Sequence, residues 1–229
     1  MTDLPNLPAA EMAIVQATND FRRAQGVGRL TRNHTLDTAA RAFATYLARS
    51  GRFAHEADGR SPADRAKASG YAYCTVAENL ALNLDSRGFK TGKLVRDVVE
   101  GWKHSKGHRH NMLLPQVTEI GVGVARAPGK DPKFLSVQLF GRPLSLTIRF
   151  KITNKSRETV GYRYAGRTYT IKPRMTVTHK SCSAGNIVFE HRGGLLTSAS
   201  RIANYNARNG ASYLIDRKAG GKVGVSEQR

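Results

Sequence analysis

Cysteine, tryptophan and acidic side chains are scarce in this chain: 2 Cys, 1 Trp and 17 Asp and Glu against 37 Lys and Arg in 229 residues. Two cysteines exclude a disulfide-dense scaffold and any multi-cysteine metal finger. No stretch approaches the roughly 20 uninterrupted apolar residues of a membrane-spanning helix. The first thirty residues carry Asp3, Glu11, Asp20, Arg22 and Arg23 in place of a basic start followed by an apolar run, so no signal peptide is read in the given chain. That opening fits a native start, and fits equally a mature chain whose export signal has been replaced by Met1. A recognition helix, clustered finger cysteines and an aromatic RNP-like strand are all missing, which argues against sequence-specific nucleic-acid binding.

The positive charge that remains is unevenly placed. Residues 144–229 hold 16 Lys and Arg against 4 Asp and Glu, whereas residues 1–143 hold 21 against 13. A basic C-terminal part favours polyanions such as an anionic surface or an acidic polysaccharide. Hydrophobic residues make up 40% of the chain, enough for one large domain or two modest ones. Cys74 and Cys182 fall in different halves. They are either two buried thiols or one bridge closing a loop of about 100 residues, worth roughly 4 to 5 kcal/mol in the chain-entropy model.

Apolar periodicity predicts helices over about 9–25, 36–50 and 91–103, with Leu94, Val98 and Trp102 on one edge of the last. "SPADRAKASG" predicts a short helix with Ser61 as N-cap, Pro62 at the first turn and Gly70 at a left-handed C-terminal position. After Pro115 the pattern changes: "EIGVGVA" (119–125) and "FLSVQLF" (134–140) alternate around a turn-rich "RAPGKDPK" and predict a hairpin. Helices flanking a small antiparallel sheet give an α+β class. Strands are expected next at 144–152, 159–164, 167–171, 174–179 and 186–190, forming a small basic all-β domain. A short helix near 198–207 and a loose, partly disordered tail are expected after it. The predicted domains are therefore 1–143, 144–192 and 193–229.

Four segments place titratable groups beside residues that must be packed: "FAHEADGRSPADR" (53–65), "AENLA" (77–81), "GWKHSKGHRHNML" (101–113) and "TEIGVG" (118–123). In the third, Gly107 is expected to permit an unusual turn before His108. His104 and His110 are expected to be exposed, and Trp102 to be core. These half-buried groups predict a cleft.

In this order and spacing, "FAHEADGRSPADR", "AENLA", "SKGHRHNML" and "EIGVGVA" resemble the bacterial branch of the CAP superfamily, which includes cysteine-rich secretory proteins, venom allergen antigens and plant pathogenesis-related proteins. The resemblance spans about residues 10–143. It implies an α-β-α sandwich and a cleft lined by two histidines and one or two glutamates. Matched one at a time, His55 takes the histidine of the first motif, Glu78 the glutamate of the second and His108 the histidine of the third. Ser105 stands where eukaryotic members carry a further glutamate, so Glu119 is the candidate for that carboxylate. Asn79 and Arg109 are expected to support the cleft by hydrogen bonds or to fix the fold.

Two imidazoles and a carboxylate suit a divalent ion such as zinc, or general acid and base chemistry. Neither a Gly-x-Ser-x-Gly elbow nor a His-Glu-x-x-His helix is present, so no nucleophile is identified. The same group could also simply tie helices to a sheet. Three functions follow as expectations. The first is a secreted or periplasmic binding module for a divalent cation or a small, lipid or glycan ligand. The others are a metal-assisted hydrolase of peptide or glycan bonds, and a structural cell-envelope protein with a vestigial cleft. The β domain is expected to hold the protein to an anionic surface or to cover the cleft.

Overall fold

The structure is a computed structural model that describes residues 3–191, 198 and 200–228. It divides into two compact units, Met1–Ser145 and Leu146–Arg229.

The first unit opens with α1 (Leu7–Ala24), capped by the Asn6 side chain at the Ala9 N–H. It continues through β1 (Thr31–Arg32), α2 (His34–Ser50), α3 (Pro62–Ala68) and β2 (Tyr73–Leu84). After these come α4 (Thr91–His104), α5 (Lys106–Met112), β3 (Glu119–Arg126) and β4 (Lys133–Pro143). α3 is set by its local sequence as expected: Ser61 and Asp64 form a reciprocal capping box, and Gly70 takes φ +92°. Gly107 does not make the unusual turn expected of it. It lies inside α5 and has no positive φ, because residues 106–112 form a short helix of their own.

The sheet order is β1-β3-β4-β2, with β1 parallel to β3 and the rest antiparallel. Because side chains alternate, central β4 feeds two cores. Leu135, Val137 and Leu139 pack with α2 and α3, while Phe134 and Phe140 pack with α1 and α4. This three-layer arrangement is the α-β-α sandwich. β3 shows why its sequence alternates with glycine. Ile120, Val122 and Val124 enter the α1/α4 core, and Gly121 and Gly123 face α2. A Cβ at Gly121 would lie 2.3 Å from the Leu36 carbonyl carbon, and one at Gly123 2.2 Å from the Arg41 nitrogen, so helix and sheet backbones meet directly.

Both edges of this sheet are finished by side chains from the helices. Beyond the two residues that β1 pairs, the Val122 N–H donates to Asp37 (2.9 Å) and the Val124 N–H to Glu11 (3.2 Å). On the β2 edge, the Glu78 carbonyl accepts from Asn111 (3.0 Å) and the Leu80 carbonyl from the Trp102 indole (2.9 Å). Trp102 is accordingly core, 1% exposed.

The second unit contains β5 (Ile148–Asn154), β6 (Val160–Tyr164), β7 (Arg167–Ile171), β8 (Thr176–Ser181) and β9 (Asn186–His191). β10 (Ser200–Asn206), β11 (Ser212–Arg217) and β12 (Val223–Gln228) complete it. Two four-stranded sheets, β10-β9-β6-β7 and β12-β11-β5-β8, enclose a core that includes Phe150, Ile152, Tyr162, Phe189, Tyr213 and Ile215. The C-terminal expectation is corrected here. Where a helix was expected over 198–207, β10 pairs with β9, and where a loose tail was expected, β11 pairs with β12 on one side and β5 on the other. Tyr205, Tyr213, Ile215 and Val225 bury apolar surface that no earlier strand supplies, which holds these strands in place.

Candidate functional site

Glu78 comes from the middle of β2, beside the α3 face of the sheet, and its side chain is only 1% exposed. Its two oxygens have separate partners. Oε1 is 2.8 Å from the His55 Nδ1, and Oε2 accepts from the Arg65 Nη2 at 2.8 Å. Burial pushes the Glu78 carboxyl up from its usual range, opposed first by the charge of Arg65 and then by the bond to His55. His55 sits on the loop between α2 and α3 with its side chain about half exposed (52%). Nδ1 is the ring nitrogen directed to the carboxylate.

Arg65 organises the group, although sequence reasoning passed over it. On α3 and 5% exposed, it donates to Asp58 (2.8 Å), to Glu78, and to the carbonyls of Arg60 (2.7 Å) and His55 (2.9 Å). Its guanidinium carbon lies 3.4 Å from the centre of the Phe43 ring. The signal was available in Asp58 and Glu78: two acids beside apolar residues need a cation within reach. A cavity of about 450 Å3 is lined by residues including Phe43, Tyr46, Asp58, Arg60 and Arg65. Arg65 is its link to the Glu78 group, since His55, Glu78 and His108 do not line it.

His108 is carried by α5 and is partly buried. Burial lowers its pKa, and the nearby His55 lowers it further, so the two imidazoles sit in one electrostatic environment. α5 is fastened to the sheet by a chain of amides. Asn79, fully buried, donates to the His108 carbonyl (3.1 Å) and to Gln138 (3.1 Å) and accepts from Asn111 (3.0 Å), and Gln138 donates to Thr18 (2.9 Å). Asn79 thus fixes the backbone that carries His108. Gln138 and Asn111 went unrecognised in the sequence because the partners of an amide depend on tertiary neighbours.

Two expected members stand elsewhere. Glu119 starts β3, separated from β2 by β4, and accepts from the Tyr71 hydroxyl, which is pushed up by burial and by that bond. Arg109 turns to α1, donating to Gln25 (2.9 Å) and lying over the Phe21 ring (4.8 Å). His104 and His110 are exposed, as expected. The structure therefore brings together His55 and Glu78, with His108 held nearby. Among the described residues no group of three or more His, Cys, Asp or Glu is arranged to hold a metal ion.

A family model described as the cysteine-rich secretory protein family, CAP, matches residues 15–140, more than half of the chain. The chain belongs to the CAP family. Its CAP domain is 37% identical over 119 residues to the uncharacterized protein YkwD of Bacillus subtilis (strain 168), a match covering 52% of this chain and 43% of that protein. The chain thus spans less than half the length of this curated relative. Among solved structures, an outer surface protein of Borrelia burgdorferi matches with TM-score 0.51 and 19% identity, covering 59% of this chain and 93% of that one. An extracellular SCP-domain protein of Bacillus anthracis str. Ames matches with TM-score 0.49 and 22% identity, over 59% of this chain and 41% of that one. The likeness to the Borrelia protein is one of fold. No helix among the described residues is long and apolar enough to cross a membrane.

Proposed function

We propose that the CAP unit is a binding module, working outside the cell or in the periplasm, whose His55, Glu78 and His108 take up a divalent cation or a small, lipid or glycan ligand. The observation that carries this reading is the His55–Glu78 pair. A carboxylate on Nδ1 fixes the ring's tautomer and presents Nε2, an arrangement that typically orients a ligating histidine. A zinc ion here would be held by His55 and His108, with Glu78 supporting His55 instead of ligating, because both of its oxygens are already bonded. Two protein ligands are fewer than the three of a typical catalytic zinc site, which favours a weakly held, water-completed ion or an organic ligand over a resident catalytic metal.

Zinc titration of the metal-stripped protein by calorimetry, beside His55→Ala/His108→Ala, tests this. Micromolar or tighter binding that the double variant loses supports a cation site; equal heats from both proteins remove it and leave organic ligands. The second reading, a metal-assisted hydrolase, requires that His108→Ala abolish turnover of a peptide or glycan substrate while melting like the parent. Absence of turnover in the parent excludes it. In the third reading, a structural envelope protein with a vestigial site, attachment survives the double histidine change and collapses with salt.

A further inference from the structure

The basic second unit distributes its charge unequally between its two sheets. On β5 Phe150 and Ile152 point into the core, so Arg149 and Lys151 stand on the outer face and are exposed. Lys180 on β8 is exposed and directly opposite Arg149 in the ladder, while His179 beside it stacks inward on Phe150 (4.9 Å). Lys151 is opposite Thr178 on one side and Ser212 of β11 on the other. The next row along brings together Thr176, Thr153, Leu214 and Ser226. This face is therefore a patch of three cations set among hydroxyls.

The acids of the unit lie away from these cations. Glu190 pairs with Arg163 (2.7 Å) on the other sheet, Glu158 with His191 (2.9 Å) and Arg217 (3.1 Å), and Glu227 with Arg208 (2.6 Å). Asp216 shares the face but stands four residues along β11 from Ser212, and accepts from the Arg217 N–H (2.7 Å). Like charges directly opposite in a ladder destabilise a sheet, so Arg149 against Lys180 costs stability, and neither has an ion pair among the described residues. On the other sheet Arg163 is paired with Glu190, and Arg167 and Arg201 stand apart on its two edge strands, β7 and β10.

From this geometry we infer that the outer face of β5 and β8 is a docking surface for an acidic polysaccharide, its carboxylate or sulfate groups seated on Arg149, Lys151 and Lys180. Charge complementarity selects a polyanion. The surrounding Thr and Ser hydroxyls suit sugar hydroxyls. The aromatic rings of these strands, Phe150 and Tyr213, are buried inward, so the face lacks the stacking platforms that single-stranded nucleic acid uses. The inference deepens the surface-attachment expectation for the β unit and does not depend on the histidine group of the CAP unit.

The test is affinity of the full chain for heparin, as a sulfated polysaccharide probe, across a salt series. The variant R149Q/K151Q/K180Q is compared with R157Q/R167Q/R201Q, which removes the same charge from exposed positions elsewhere. The face variant is expected to bind about tenfold more weakly with a shallower salt dependence, and the control less than about threefold more weakly. Equal losses in both variants, or no loss in the first, overturn the inference. So does tighter binding to single-stranded DNA or to phosphatidylserine vesicles than to heparin. K180E places an opposite charge across from Arg149, so it should weaken binding without lowering the melting temperature, which keeps the test valid if the triple variant folds poorly. His55→Ala/His108→Ala should bind heparin like the parent whatever it does to zinc.

Discussion

Changing Arg65 to methionine would keep much of its bulk over Phe43 but leave Asp58 and Glu78 without their shared cation. Stranding one partner of a buried pair costs about 3–5 kcal/mol. A denaturant midpoint lowered by that order is expected for Arg65→Met, with part recovered in Arg65→Met/Glu78→Gln; an unchanged midpoint would show that Glu78 does not rely on Arg65. Protonation adds a second residue-level expectation. His108 and His179 are both held below the usual 6.5 by burial, His108 additionally by His55. The folded state binds fewer protons than the unfolded one at these positions. Their stability is therefore fully present above 6.5 and is lost as pH falls through the lowered values. Glu78, raised by burial, runs the other way: its contribution is present below its ordinary 4.5 and lost as pH rises through its raised value. At His179 the chemistry is consistent, since the Tyr162 hydroxyl, pushed up to about 12, stays protonated and lies 2.8 Å from the ring's Nε2. Thermal melts between about pH 5 and 7 should steepen on the acid side for the parent and flatten for His179→Gln.

The contact between α2 and β3 separates two glycines of β3 from one in a helix. Gly121→Ala would drive a methyl into the α2 backbone and is expected to cost about 1–3 kcal/mol or prevent folding. Gly101→Ala, in α4 where an added Cβ meets nothing within 4 Å, is expected to stabilise by about 0.5–1 kcal/mol. Thermal melts of the two variants decide it, and equal shifts would refute the close approach. The elements show where sequence was legible. α2 and α4 carry a continuous apolar stripe, and α3 carries both of its own end signals, so local chemistry sufficed. α5 was hidden because seven residues rich in His, Arg and Gly form a helix only when Asn79 and Asn111 fasten it to β2. β10 to β12 were hidden because the turns between them, with Arg208, Gly210, Lys218, Gly220, Gly221 and Lys222, read as a loose basic tail, and their order comes from pairing with β5 and β9 earlier in the chain. Site legibility follows the same division. His55, Glu78 and His108 were readable as ordered motifs; Arg65, Gln138 and the departure of Glu119 to Tyr71 depend on which strand lies beside which.

At the level of the whole molecule, neither of the two cysteines is a free thiol. Alkylation without reduction should therefore label neither Cys74 nor Cys182. Reduction should open both to labelling; labelling of both in the unreduced protein would favour the two buried thiols that the sequence also allows. The finished edges of the CAP sheet also bear on how this protein can meet others. The outward N–H groups spent on Asp37 and Glu11, and the outward carbonyls spent on Asn111 and Trp102, are closed to backbone pairing with another chain. A peptide that lengthened the sheet would have to displace these side chains at those positions. Along these stretches, company for the CAP unit is chosen by side chains, which can be altered one position at a time without disturbing the framework that presents them.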